Sequence, residues 1–198
     1  MGYISPFDLA SQKYRPAKVR TLFIAEAPPA YDSRRFFYFT DLRQQDTLFL
    51  EMMKSLYPLE VGFSANQFKD GFSSSAIRLR KPELLNRFKT DGFYLIDACE
   101  RPMPQGANTA LKVALMQKAL PGLKAKVRRL CSADALGVLL IGAVTYHVCA
   151  DALRDEAVTV LNTEAVNHPS RGGQIHFRAK LRAALNLPAF LAYHALPS

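Results

Sequence analysis

The chain has 198 residues, 49% of them apolar and 22% charged, which suits one buried core and excludes a disordered or collagen-like composition. A membrane helix needs roughly 18 to 20 consecutive apolar residues, and the longest apolar run, Ala135 to Val144, falls well short of that. The 26 Lys and Arg against 17 Asp and Glu give a net charge of +9, a balance that favours a polyanionic partner over an acidic or membrane-inserted role.

Met1 to Arg20 is polar, with no continuous apolar core and no small-residue cleavage pattern. It does not read as a signal peptide, so a cytoplasmic or nucleoid location is expected. Val19 to Ala25 is an apolar run stopped by Pro28-Pro29, the pattern of a buried strand. After an Arg- and aromatic-rich loop, Tyr31 to Phe39, the segment Leu42 to Leu56 carries apolar residues at helical spacing. Val61 to Lys81 reads as a Ser-rich loop with at most a helical turn, and Pro82 to Lys89 as a short helix with proline in its first turn. Phe93 to Ala98 is the second strand. Asn108 to Ala119 and Leu123 to Cys131 read as two helices parted by Pro121-Gly122. Leu136 to Ile141 is the third strand, Thr145 to Arg154 a helix, and Ala157 to Leu161 a fourth, short strand. The loop Asn162 to Gly173 leads into a last helix, Ile175 to Leu185.

Strands that are continuous apolar runs and alternate with helices predict an α/β protein with a parallel sheet covered on both faces. One domain over residues 1–198, acting as a monomer, is expected. In such sheets ligands bind beyond the carboxyl ends of the strands. That rule selects the loops Glu26 to Phe39, Asp97 to Gln105 and Asn167 to Gly173. Cys99, Cys131 and Cys149 lie far apart without metal-ligand spacing and read as reduced core thiols. Neither a metal nor a cofactor is expected. The basic residues cluster at Arg78, Arg80 and Lys81; at Lys124, Lys126, Arg128 and Arg129; and at Arg171, Arg178, Lys180 and Arg182. Each cluster suits a solvated helix face; three together point towards nucleic acid.

The first selected loop reads Ala25-Glu26-Ala27-Pro28-Pro29-Ala30-Tyr31-Asp32, and the last reads Asn167-His168-Pro169-Ser170. With this pair the chain resembles the uracil-DNA glycosylase superfamily. The first loop is similar to the G-E-A-P-G-x-x-E motif of its iron–sulfur branch, with Ala25 and Pro29 at the two glycines, and the second to the superfamily's H-P-S motif. The resemblance spans roughly residues 19 to 186 and implies a three-layer αβα sandwich around a four-stranded, mainly parallel sheet. It implies a DNA partner and excision of a deaminated or damaged, uracil-type base. The catalytic residues it implies are Glu26, Asp32 and His168; Ala27, Pro28, Phe39, Asp97, Ser170 and Arg171 would bind substrate. Phe39 stands where the aromatic that stacks on the flipped base is found, and Asp97 where a base-reading Asn is found. The four cysteine ligands of the iron–sulfur branch are lacking.

Breaking a base–sugar bond puts positive charge on the sugar and negative charge on the base. Asp32 or Glu26 would orient water and face the sugar cation, His168 would donate to the base oxygen, and Ser170 and Arg171 would press into the duplex or hold a phosphate. Structural roles stay open for the same residues: Glu26 as a cap or in an arginine pair, Asp32 paired with Arg34 and Arg35, Phe39 in the core, Asp97 as a helix cap. Two other functions also stay open, a non-catalytic nucleic-acid-binding module and an enzyme acting on a free nucleoside.

Overall fold

A computed structural model describes residues 5–33, 35–41, 46–63, 73–131, 135–170 and 172–187. The chain opens with helix α1 (Pro6–Lys13), within the stretch that the sequence leaves as a polar lead-in. Its start follows from local chemistry. Ser5 accepts the Asp8 N–H at 3.1 Å as N-cap, Pro6 occupies the first turn, and Phe7 is buried.

Strand β1 (Thr21–Ala25) is central, with β2 (Phe93–Asp97) on one side and β3 (Gly137–Leu140) on the other, and both pairings are parallel. Every residue of β1 is buried, which is why the run reads as continuously apolar. Phe23 stacks on Phe88 at 5.6 Å and meets Phe93 edge-on at 5.7 Å. Burial of a side chain of that size is worth about 2 to 3 kcal/mol. The remaining helices are α2 (Thr47–Leu56), α3 (Ser74–Leu79), α4 (Lys81–Thr90), α5 (Thr109–Leu130), α6 (Ala143–Arg154) and α7 (Gln174–Ala184). Helix α2 packs with α7 and α5 with α6, while α4 lies against β2 and α6 against β3. Among the described residues no helix is long and apolar enough to cross a membrane.

Two expectations are corrected. Helix α5 runs unbroken through Pro121-Gly122 rather than splitting there. The proline removes one backbone bond, to the carbonyl of the exposed Gln117. Met116, Leu123, Val127 and Leu130 nevertheless continue one buried stripe past it. The sheet, moreover, has three described strands, because 157–161 does not form a fourth. It contributes only the isolated parallel bridge Val138↔Val160, followed by Ile141↔Val166 further on. Beside Leu140 the place of a strand residue is taken by a side chain. Asn162 accepts the Leu140 N–H at 3.0 Å through Oδ1 and donates to the Leu140 carbonyl at 3.2 Å and the Glu164 carbonyl at 2.8 Å through Nδ2. The opposite edge is closed in the same way: the Tyr38 hydroxyl accepts the Leu95 N–H at 2.7 Å and donates to the Leu95 carbonyl at 3.1 Å. Burial pushes the Tyr38 phenol pKa up, which keeps the donating proton in place.

Removing either amphoteric side chain strands two buried backbone groups. Tyr38→Phe and Asn162→Leu are each expected to lower stability by about 1 to 3 kcal/mol, read as a shift of the urea midpoint at unchanged slope.

Candidate active site

The sheet's backbone bonds run on past the strand ends and carry three side chains into one place. Ala25 pairs with Asp97 in register, and beyond it the Cys99 N–H donates to the Glu26 carbonyl at 3.1 Å. On the other side the Ile141 N–H donates to Ile24 at 2.8 Å and the Gly142 N–H to Val166 at 2.8 Å, which fixes the segment that enters His168. A tight turn follows, with the Ser170 N–H donating to the His168 carbonyl at 2.8 Å.

Together these elements enclose a cleft of about 610 Å³ at the carboxyl ends of the strands. Glu26, Ala27, Asp97, His168 and Ser170 all line it. Asp32 does not; it is exposed in the turn that follows. Phe39 does not line it either, and packs on Phe7 at 5.7 Å and Phe36 at 5.4 Å. Pro28 faces a neighbouring cavity, and Arg171 lies outside the described residues. Aromatic wall is supplied instead by Phe36, Phe37 and Phe49. The sequence contains these rings in plain view but gives no sign of which ones face the cleft.

Nothing in the local sequence marks Lys112 as a cleft residue either. From α5 it donates to Glu26 Oε1 at 2.7 Å, and both side chains are about a third exposed. Such a pair contributes little to stability, but it fixes the carboxylate's orientation. At another wall of the cleft Asp46 is buried and holds Arg78 at 2.6 Å and Lys81 at 3.1 Å, with Lys81 also 4.4 Å from the Phe49 ring. Burial brings the Lys81 pKa down to about 8, with Asp46 opposing that shift. Among the described residues no group of three or more His, Cys, Asp or Glu is arranged to hold a metal ion.

Two groups in the cleft have displaced protonation. Burial raises the Asp97 carboxyl to about 7, opposed by the Lys126 charge, and no described residue gives it a hydrogen bond. His168 is open to solvent at the rim, yet the protein around it lowers its pKa. Lys112 pushes it further down and the Glu26 carboxylate opposes. At neutral pH the imidazole is therefore uncharged, with one N–H to donate and one nitrogen to accept. The chain matches no protein-family model, no curated protein and no solved structure.

Asp97 has a definite signature in stability. Its pKa is higher in the fold than its ordinary 3.8, so its stabilising share is complete below pH 4 and disappears as pH rises through about 7. Asp97→Asn is expected to melt like the parent near pH 4 and progressively above it up to pH 8, followed by thermal unfolding across a pH series. A gap that stays constant with pH refutes the shifted carboxyl.

Proposed function

We propose that the chain is a DNA glycosylase-like protein that takes a deaminated or damaged, uracil-type base out of the stack and hydrolyses its N-glycosidic bond. The observation that carries this is the meeting of Glu26, Asp97 and His168, from three separate segments at or beyond the strand ends, in one cleft. In this reading the α2, α4 and α7 group and the α5 and α6 pair form the outer layers of a glycosylase-like sandwich. The cleft volume lies within the range of small-ligand sites.

Glycosidic cleavage calls for an anion near the sugar and a hydrogen-bond donor at the base oxygen. Glu26, oriented by Lys112, takes the first role and positions the attacking water, a task that the exposed Asp32 is too far out to share. The neutral His168 takes the second, donating its N–H where negative charge collects. Phe36 and Phe37 offer the flipped base its aromatic wall. Asp97 reads the edge of the base. An ionised carboxylate only accepts, but a protonated one also donates, and so matches the donor-plus-acceptor complement of an amide. With its pKa near 7, Asp97 holds that form below neutral pH and in part at neutral pH.

A second reading has one observation in its favour. The ion pair with Lys112 neutralises Glu26, which suits a nucleic-acid-binding module without turnover; such a module binds with log affinity falling linearly in log salt and releases no base.

The test is base release from oligonucleotides carrying uracil, hypoxanthine or xanthine. Glu26→Gln and His168→Ala are each expected to slow release by about a hundredfold or more, while Asp32→Ala stays near the parent rate. If the parent protein releases none of these bases, the catalytic reading fails. The role of Asp97 is separable by pH. Release by the parent is expected to decline as pH rises through about 7, and Asp97→Asn to retain its rate at pH 8.

A further inference from the structure

Of the three basic clusters in the sequence, most members are engaged within the fold. Arg78 and Lys81 hold Asp46, Arg80 holds Glu83, Arg178 holds Glu51, and Lys180 holds Glu164. On α5, Lys124 and Arg128 both reach Glu156, at 3.2 Å and 3.1 Å. The other two cations of that cluster behave differently. Lys126 and Arg129 turn to an adjacent face and line a second cavity of about 470 Å³, together with Arg15 after α1 and Arg101 after β2. None of these four is paired with a described carboxylate within ion-pair distance.

This cavity adjoins the cleft, since Phe36, Leu95 and Asp97 line both. Its acidic members offset the four cations only in part. There are three, Asp8, Asp97 and Glu100, and Asp97, with its pKa near 7, carries only part of a charge at neutral pH. At its edge stands Tyr31, whose ring stacks on Phe7 at 5.2 Å with 18° between planes and remains 58% exposed. An exposed aromatic beside unpaired cations is the combination that holds a single nucleic-acid strand: cations follow the phosphates and a base stacks on the ring.

We infer that this cavity is a strand-binding subsite in which Arg15, Arg101, Lys126 and Arg129 hold phosphodiester groups and Tyr31 stacks a base next to the one in the cleft. The adjacency of the two bases rests on the glycosylase reading; the strand contact itself needs no catalysis. Charge alone would serve an acidic peptide equally well, but the stacking ring favours the nucleic acid.

The experiment is fluorescence anisotropy of the full chain with a labelled oligothymidylate of about ten nucleotides, a length within the span of single-strand sites. Arg101→Gln/Arg129→Gln is expected to weaken binding about tenfold or more and to reduce the salt slope by about 1.4, roughly 0.7 for each charge removed. Tyr31→Ala is expected to weaken it about fivefold or more. Lys124→Gln/Arg128→Gln removes the same net charge from the paired face of α5 and is expected to change affinity little. Equal losses from the two double variants, indifference to Tyr31→Ala, competition by polyglutamate as strong as by unlabelled strand, or no binding by the parent protein would each overturn the subsite. Oligothymidylate carries no target base, so the two readings fail separately. Strand binding without base release from any lesion defeats the catalytic reading alone, and base release with no effect of Tyr31 or Arg101 defeats the subsite alone.

Discussion

The backbone bonds at the carboxyl end of β1 set the positions of Glu26, Asp97 and the segment that bears His168. Ala25 accepts from Ala98, Glu26 from Cys99, Ile24 from Ile141, and one step further out Val166 accepts from Gly142, at distances between 2.8 and 3.1 Å. The row crosses the sheet from the loop after β2 to the segment bearing His168. Because β1 is buried along its whole length, the pairing is firmly specified. A slip of one residue would exchange the β1 side chains packed on the two faces of the sheet and at the same time move Glu26 away from Asp97. Core packing and site geometry are thus enforced by the same bonds.

Within that frame, environment separates the two carboxyls. Glu26 has a cation 2.7 Å away and partial access to water. Asp97 has neither a hydrogen-bond partner among the described residues nor a close cation, and Lys126 only tempers its burial. The shift at Asp97 gives the cleft a carboxyl able to donate as well as accept, alongside the Lys112-paired Glu26. The cations are sorted in a similar way. Those with carboxylates to hand knit helices together, and those without face the cavity beside the cleft.

Much of the fold was legible because buried parallel strands announce themselves as unbroken apolar runs, and the three that form lie within the runs at 19–25, 93–98 and 136–141. The rule that sites sit at strand ends likewise carried Glu26, Asp97 and His168 to one cleft. The failures have particular causes. Pro121-Gly122 looks like a helix stop locally, whereas the buried stripe from Met116 to Leu130 is a tertiary fact that outweighs it. The segment 157–161 has a strand's composition, but the Asn162 amide occupies the pairing position that a strand would use. Asp32 and Phe39 sit on a loop whose path depends on what it packs against, and spacing along the chain does not encode that path. The Lys112 partnership joins residues 86 apart, with no local pattern to mark it.

The side-chain closures at Leu95 and Leu140 have a consequence for how this protein meets its neighbours. On each margin of the sheet one residue, Leu95 or Leu140, already has its outward backbone donor and acceptor occupied, the first by a phenol and the second by an amide. A foreign strand arriving at either margin would have to displace a fully satisfied bidentate group before gaining any bonds of its own. So narrow a sheet would otherwise be an inviting template for ribbon-like growth. Here two side chains interrupt it, and strand addition at Leu95 and at Leu140 is disfavoured.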